Sequence, residues 1–309
     1  MKSIHVLSKV LLAVTLLSCH KEPKDSLLPQ KDTDPTADIL ISEVLFNPKK
    51  GGAEFIELYN CSDKVIDLAQ YSIASTNAKG ATGNSRAISP LPLYIYPGTY
   101  KLLSKTPAAV VGHYHTPEYI DSISVQNFPQ LTNSQGAVLL LRGEEIIDSL
   151  HYTEKMHDPL IRNPQGVSLE RVNFRWATNS PGNFISASAT SGYATPGYQN
   201  SQRVNREAKG PAVQLSKRIL HIGKNETLSI QFNLPVGGKM TNITIFSATG
   251  TKVHELVRNH RLGTLDQIPW DGKGMGRRKL SAGSYYLHIE LYDASGFLKH
   301  FKELCFLRS

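Results

Sequence analysis

Short apolar runs separated by turn-forming residues make up most of this chain. Residues 39–46 (ILISEVLF) are almost continuously apolar, residues 47–52 (NPKKGG) favour a tight turn, and residues 53–60 (AEFIELYN) form a second apolar run. Runs of this length with such residues between them predict paired β-strands. Because the first run is apolar at nearly every position, we expect it to be buried in the core of a sandwich.

The same pattern continues through the first half of the chain. Residues 66–73 (IDLAQYSI) predict a third strand, and residues 94–103 (YIYPGTYKLL) alternate around a Pro-Gly turn. Residues 137–141 (AVLLL) and 146–152 (IIDSLHY) flank the turn sequence RGEE, a pattern that predicts a hairpin. The first half is therefore predicted to consist of strands.

A second group of strands begins at Val213. Residues 226–233 (ETLSIQFN) alternate, and residues 241–246 and 251–257 predict a hairpin across the turn sequence SATG. Trp270 precedes an Asp-Gly turn, where we expect its large ring to be buried at the open end of a small sandwich.

Composition supports an all-β class. The chain has 309 residues, of which 40% are hydrophobic and 19% charged, and this balance is typical of globular domains and excludes extended disorder. It contains 23 Gly and 17 Pro, as expected for many short strands joined by turns. Its length allows two domains with a core each.

The N-terminus is predicted to be a processing signal. Lys2 and Lys9 provide positive charge beside an apolar stretch, residues 10–17, that is too short to span a bilayer. The sequence LLSC, which ends at Cys19, resembles the bacterial lipobox. This resemblance implies cleavage before Cys19 and its acylation, for example with palmitate; the alternative is an ordinary secretory signal with a chance cysteine. We expect a bacterial cell envelope location, lipid-anchored at the outer membrane.

Three segments of the first half resemble a known family. The sequences ISEVLFNP (41–48), AEFIELYN (53–60) and IDLAQYSI (66–73) resemble the opening three strands of the lamin-tail domain, an immunoglobulin-like β-sandwich. The resemblance implies an architecture and little chemistry. It also implies that Glu57 and Asn60 bind the backbone of turns.

The end of the same region resembles the closing signature of bacterial lamin-tail domains. This similarity rests on GVSLER (166–171), Trp176 and ATPGYQN (194–200). We expect Glu170 and Arg171 to pair with neighbouring charges at a sheet edge, and Trp176 to fill the sandwich.

The second half resembles a different group of domains. FSATGTKV (246–253), WDGKGMGRR (270–278) and LSAGSYYL (280–287) resemble the immunoglobulin-like domain of flagellar hook-capping proteins and the C-terminal sorting domains of type IX secretion. Because a lipobox and a type IX signal would be two conflicting export signals, we interpret this region as a structural module.

These patterns predict two immunoglobulin-like β-sandwich domains in tandem after a lipoprotein signal peptide. The predicted segments are a signal peptide (1–18), a flexible tether (19–37), a lamin-tail domain (38–200), a linker (201–212) and a C-terminal immunoglobulin-like domain (213–309).

The mature chain is predicted to be mildly basic. Cleavage before Cys19 removes Lys2 and Lys9 from the 34 basic residues and none of the 26 acidic ones, which leaves a net charge of +6. Basic residues around the Trp270 turn form a possible surface for an anionic partner, and the alternative is a solvated loop rim. Nucleic acid is disfavoured because no aromatic residues are interleaved with them. The residues of this predicted surface are Arg258, Arg261, Lys273, Arg277, Arg278 and Lys279.

No sequence pattern predicts a metal or cofactor site. His113 and His115 could share one face of a strand and meet His151, His157 and Asp158 after folding. No metal-binding spacing accompanies them, and exposed loop histidines explain the pattern more simply. The glycine-rich residues 272–276 lack the following helix that phosphate sites use, so we interpret them as a turn.

Catalytic patterns are also missing from the sequence. Glu43, Glu54 and Glu57 are the candidates for a pair of catalytic carboxylates, but Glu54 and Glu57 are three residues apart on a strand and therefore point to opposite faces. Cys61 and Cys305 could form a disulfide or remain as two buried free thiols. No nucleophile motif is found.

We therefore predict that the chain is not an enzyme but a membrane-anchored envelope lipoprotein, which binds or scaffolds through its lamin-tail domain. Its predicted partners are the membrane, through the N-terminal lipid, and a protein or glycan of the envelope. The alternative is an extracellular metal-dependent hydrolase, or an accessory subunit of one, in a nuclease or glycan-degrading system. Lamin-tail domains are often fused to such catalytic domains in bacteria.

Overall fold

A computed structural model describes residues 37–77 and 79–309 of the chain. The predicted signal peptide, Cys19 and nearly all of the predicted tether lie outside these residues. Described residues 37–212 contain twelve strands and one short helix, α1 (Pro107–Val111). The strands are β1 (Ile39–Leu45), β2 (Phe55–Asn60), β3 (Ile66–Asp67), β4 (Tyr71–Thr76), β5 (Arg86–Ala87), β6 (Tyr94–Ile95), β7 (Tyr100–Ser104), β8 (Ser122–Ser124), β9 (Gln135–Arg142), β10 (Glu145–Thr153), β11 (Leu169–Arg171) and β12 (Phe184–Ser186).

These strands form the first sandwich. One sheet has six strands in the order β12-β11-β1-β2-β7-β8, and the facing sheet has four in the order β10-β9-β4-β5. Apolar side chains from both sheets, among them Ile41, Ile56, Val138 and Leu150, form one core. All seven residues of β1 are buried, as its apolar sequence predicts. The outer face of the six-stranded sheet is covered by residues 187–202 over its glutamates, and by Val110 of α1 and Tyr114 over Phe55 and Leu102.

The predicted third strand is broken near its middle. The chain forms β3, a 3₁₀ turn at Leu68–Gln70 and then β4. Asp67 explains the break, because its Oδ1 accepts hydrogen bonds from the backbone N–H of Ala69 at 3.0 Å and of Leu93 at 2.9 Å. A side chain that caps a turn in this way competes with continued strand pairing. The predicted hairpin of β9 and β10 forms as expected.

The second sandwich contains the remaining eight strands. They are β13 (Val213–Leu215), β14 (Ile219–His221), β15 (Leu228–Asn233), β16 (Met240–Ser247), β17 (Lys252–Arg261), β18 (Leu265–Trp270), β19 (Gly283–Tyr292) and β20 (Leu298–Arg308). A five-stranded sheet in the order β14-β20-β19-β16-β17 faces a three-stranded sheet in the order β13-β15-β18. The prediction of an all-β chain with two immunoglobulin-like sandwiches is confirmed.

Trp270 is part of the core of the second sandwich. Its ring is 1% exposed and meets the ring of Tyr285 edge-on at 6.4 Å between centroids. The indole N–H donates to the backbone carbonyl of Lys273 at 2.9 Å, so burial leaves no unpaired donor. Gly272 adopts a φ of +76°, and a side chain there would press against Leu220. The predicted burial of Trp270 before a tight turn is therefore observed.

Candidate functional site

The basic residues predicted around the Trp270 turn do not form one exposed surface. Arg261 is 2% exposed, because its guanidinium pairs with Asp158 and donates to the carbonyl of Ser186 at 3.4 Å. Its assignment to an exposed anion-binding surface is therefore wrong. Lys273 Nζ and Arg277 Nη2 lie 2.9 and 3.5 Å from the same Asp271 carboxylate oxygen, which offsets part of their charge.

The three other residues of that predicted surface are exposed. Arg278 and Lys279 lie on the turn after Trp270, whereas Arg258 lies on β17. Arg258 is also close to the first sandwich, in a groove described below.

Arg261 belongs to a hydrogen-bonded junction between the two sandwiches. Its backbone carbonyl accepts from the N–H of Ala189 at 2.9 Å. Gln202, which is fully buried, donates through Nε2 to the carbonyl of Leu262 at 2.9 Å and accepts at Oε1 from the N–H of Gly238 at 2.9 Å. The start of the predicted linker, residues 201–212, is thus built into a fixed junction. Buried bonds of this kind cost free energy to break, so we expect the sandwiches to keep one relative orientation.

A cationic groove lies beside this junction. Lys49 and Arg162 contribute from the first sandwich, and Arg258 and Asn259 contribute from the second. The groove has a volume of about 550 Å³, and the described residues that line it include three cationic side chains and no carboxylate. The ammonium of Lys49 lies 5.0 Å from the centre of the Tyr114 ring, a cation–π contact that helps to hold it in place. We call this feature the junction groove.

A second groove opens elsewhere along the junction. Arg203 lies beside the neighbouring rings of Tyr59 and Phe174, with its guanidinium carbon 5.6 and 5.5 Å from their centres. This groove has a volume of about 660 Å³ and contains the carboxylate of Glu207 as well as arginines. Its charge is therefore mixed, whereas that of the junction groove is positive.

Three buried glutamates form the most unusual polar cluster of the first sandwich. Glu43 on β1 is directly opposite Glu57 on β2 and Glu170 on β11, and all three side chains lie on the outer face of the sheet. Each is 0% exposed, because residues 187–202 cover them. Like charges directly opposite each other in a sheet are destabilising, so this arrangement favours protonated carboxyls.

The covering segment supplies the hydrogen bonds of this cluster. Glu43 Oε1 accepts from the Thr195 N–H at 3.0 Å and from the Ser168 hydroxyl. Glu57 Oε1 accepts from the Gly197 N–H at 2.6 Å, and Glu170 Oε2 accepts from the N–H of Gln202 at 2.9 Å. The expectation that Glu57 binds loop backbone is borne out, whereas Glu170 pairs with hydroxyl and backbone groups rather than with a charge at a sheet edge.

The contacts of the Thr195 hydroxyl indicate that one carboxyl of this cluster is protonated. Thr195 Oγ1 lies 3.1 Å from Glu43 Oε2 and 2.8 Å from Glu170 Oε1. A hydroxyl has one proton to donate, so the three groups are satisfied together only when one carboxyl is itself protonated. Burial and the neighbouring Glu170 raise the pKa of Glu43 to about 8, and burial raises the pKa of Glu170 to about 7. Burial also raises the pKa of Glu57, and Glu43 adds to this shift.

The carboxylates therefore act as structural links. None of the three is open to solvent, and each one attaches the covering segment, and through Gln202 the junction, to the sheet. This cluster could not be predicted from the sequence, because it depends on the pairing of β1 with β2 and β11. The available signal was Glu43 itself, a carboxylate in a run that was otherwise predicted to be buried.

Arg171 fills a second buried polar position, on β11. Its guanidinium Nη2 lies 2.7 Å from Asp148 Oδ2, with both side chains almost completely buried. The pairing of Arg171 with a neighbouring charge is confirmed. Its place differs from the prediction, because β11 lies between β12 and β1 and not at a sheet edge.

The histidines that the sequence placed on one strand are separated. His113 follows helix α1, and its Nδ1 lies 2.8 Å from the Ala109 carbonyl. The His115 ring stacks on Tyr198 at 5.6 Å between centroids. His157 is buried beside Ser186, and burial lowers its pKa to about 4. In the described part of the chain these residues form no metal-binding group, and the interpretation of His113 and His115 as loop residues is supported.

The two described cysteines are free thiols, Cys61 half-buried and Cys305 buried. Trp176 is buried, as expected for a residue that fills the sandwich. Within residues 37–77 and 79–309, the helices are too short to cross a bilayer.

Comparison with known proteins gives one family match. Residues 32–154 match the family model of the lamin tail domain. The match ends before β11 and β12, which complete the six-stranded sheet. A search of curated protein sequences finds no match.

Several solved structures show distant similarity. Dimeric latent PorU from Porphyromonas gingivalis is 9% identical with a TM-score of 0.27, over 91% of this chain and 21% of that chain. PorZ, a surface component of the type IX secretion system of the same organism, is 12% identical with a TM-score of 0.28, over 87% of this chain and 39% of that chain. CopC from Methylosinus trichosporium OB3b is 19% identical with a TM-score of 0.22, over 31% of this chain and 89% of that chain.

The family match covers the strands from β1 to β10, whose sandwich agrees with an immunoglobulin-like architecture. This protein therefore carries a lamin tail domain in its N-terminal half.

Proposed function

We propose that this protein is a non-catalytic, lipid-anchored module of the bacterial envelope that holds an anionic protein or glycan in the junction groove. The observation that carries the proposal is the lining of that groove, which in the part of the chain that the structure describes has three cationic side chains and no carboxylate. A concave site of one charge sign attracts oppositely charged partners and raises their rate of association. The groove is also large enough to enclose several groups of a polymer chain.

The junction supports this proposal because it fixes both walls of the groove. Lys49 and Arg162 belong to one sandwich and Arg258 to the other, so their spacing depends on the relative orientation of the two sandwiches. The bonds of Arg261 and Gln202 hold that orientation. A site preorganised in this way loses less entropy on binding.

Capture of partners from intact envelopes tests the groove. We expect the triple variant Lys49→Ala/Arg162→Ala/Arg258→Ala to lose most of the bound material, because charge complementarity is removed. We expect capture by the unaltered protein to weaken as salt is raised, since exposed charges are screened.

A matched variant controls for net charge. Arg277→Ala/Arg278→Ala/Lys279→Ala also removes three positive charges, but from the turn after Trp270. We expect it to capture its partner as the unaltered protein does. Equal losses in both triple variants would show that net charge, and not the groove, is responsible.

The proposed anchor rests on the lipobox that ends at Cys19. Acyl chains contribute about 0.8 kcal/mol per buried methylene, and two chains suffice for stable attachment. We expect Cys19→Ala to release the protein from the membrane fraction or to leave it as an uncleaved precursor. Lipid labelling that is unchanged in this variant would contradict the anchor.

A further inference from the structure

Three metal-binding side chains meet on the outer face of the five-stranded sheet. His288 and Glu290 are two residues apart on β19, so they lie on the same face. The register of β19 and β20 places His300 directly opposite Glu290. The three residues are therefore neighbours on one face of two paired strands.

The distances within this trio suit a metal ion. His288 Nε2 lies 3.1 Å from His300 Nδ1, and His300 Nδ1 lies 3.9 Å from Glu290 Oε1. With zinc–nitrogen bonds of about 2.0 to 2.1 Å and tetrahedral angles, two nitrogens that bind one ion are about 3.3 Å apart. The imidazole pair is already near this spacing, and the ligand atoms of all three side chains lie within 4.8 Å of one another.

A neighbouring strand holds Glu290 in position. Asn242 on β16 donates through Nδ2 to Glu290 Oε2 at 2.7 Å, and this bond leaves Oε1 towards His300. The backbone N–H of Asn259 on β17 donates to Asn242 Oδ1 at 2.8 Å, which in turn fixes the amide. Such outer-shell bonds orient ligands in known metal sites. The three residues and Asn242 all lie on strands, which position side chains more accurately than loops do.

We propose that His288, Glu290 and His300 bind one divalent transition-metal ion, with Zn²⁺ as the favoured ion. Two imidazoles and one carboxylate suit zinc, copper or nickel, whereas calcium and magnesium are bound by oxygen ligands. His300 is half exposed, so a fourth position can be taken by water or by a group of a bound partner. The site would let the second sandwich bind a ligand independently of the junction groove.

The metal-binding spacings considered around His113 do not include this trio. Its signal in the sequence is the alternation His288-x-Glu290, directly after residues 280–287. His300 could not be assigned to it without the register of the next strand.

Calorimetric titration of the full chain with Zn²⁺ alone tests the proposal. We expect a single ion to bind with an affinity that falls about tenfold or more in His300→Ala and in the double variant His288→Ala/His300→Ala. Asn242→Ala is expected to weaken binding about tenfold, because the orienting bond is lost. These substitutions are on an outer face, and circular dichroism will show that the fold is retained.

The control variant is His151→Ala, which removes another exposed histidine of the 11 in the chain. It is expected to bind Zn²⁺ unchanged. With Cu²⁺ as a second probe, electron paramagnetic resonance should show two bound nitrogens in the unaltered protein and one in His300→Ala. Zinc affinity that is unchanged in the double variant, or equally reduced in His151→Ala, would overturn the proposal.

Discussion

Replacing Arg171 with Met is expected to lower the free energy of unfolding of the first sandwich by about 3 to 5 kcal/mol, because a buried carboxylate would lose its charged partner. Arg171 Nε donates to the Ile41 carbonyl at 2.6 Å, and Nη2 pairs with Asp148 at 2.7 Å. The guanidinium also lies 5.0 Å from the centre of the Phe184 ring. Met has much of the volume of Arg. The decrease in the free energy of unfolding would therefore come from the missing charge and hydrogen bonds.

Urea unfolding followed by tryptophan fluorescence measures this effect. The chain has two tryptophans, one in each sandwich, so Trp176 reports the first sandwich in a Trp270→Phe background. The matched control is Arg142→Met, since Arg142 pairs with Glu145 at the surface. Exposed pairs of this kind contribute about 0 to 1 kcal/mol. Equal effects of the two substitutions would contradict the structural role of Arg171.

The first sandwich is expected to lose stability as the pH rises from about 4.5 to about 8. In this window the folded protein keeps the proton of Glu43, whose pKa is raised to about 8, whereas the unfolded chain releases it near the ordinary value of 4.5. A state that binds more protons is destabilised as pH rises. Each unit by which the folded pKa exceeds the unfolded value costs about 1.4 kcal/mol across this window, so the loss from Glu43 is expected to be measurable.

Further groups of the first sandwich act on the same curve. Glu54 and Glu170, whose pKa values are each raised to about 7 by burial, add to the loss, as does Glu57 with its raised pKa. His157 acts in the opposite direction, because its pKa is lowered to about 4, so its contribution to stability increases as pH rises from about 4 to 6.5. More carboxyl groups of the first sandwich have a raised pKa than histidines have a lowered one. The net effect of raising the pH is therefore a loss of stability.

The variant Glu43→Gln tests whether the proton on Glu43 causes this pH dependence of stability. The amide is always neutral, its Oε1 can still accept from the Thr195 N–H, and its Nε2 can donate to the Thr195 hydroxyl. We expect the stability of this variant to depend less on pH between 5 and 8.5 than that of the unaltered protein. Glu145→Gln, at an exposed position, is expected to leave the pH dependence unchanged. A flat curve for the unaltered protein would contradict a protonated Glu43.

Much of the fold could be predicted from local sequence. The apolar run of β1, the hairpin of β9 and β10, and the burial of Trp270 follow from periodicity and turn residues that are close together in the chain. The predicted third strand was broken because one side chain, Asp67, captures two backbone N–H groups. Such a cap depends on Leu93, which is distant in sequence.

The candidate site could not be predicted in the same way. Lys49, Arg162 and Arg258 are far apart in the chain and meet only because two sandwiches dock. The basic group around Trp270 was selected by sequence proximity, which does not show that Arg261 turns inward to Asp158. Pairing across strands also determines the contacts of Glu43 with Glu57 and Glu170.

Photo-crosslinking in living cells tests the central claim most directly, that the junction groove holds the partner. A benzophenone side chain would replace Ile161, which lines the groove, and in a second variant Ser295, which lies on an exposed turn of the second sandwich. We expect irradiation to give a discrete adduct from position 161 and none from position 295. An adduct from position 295 alone, or none from position 161 while the same cells still yield the captured partner, would contradict the account.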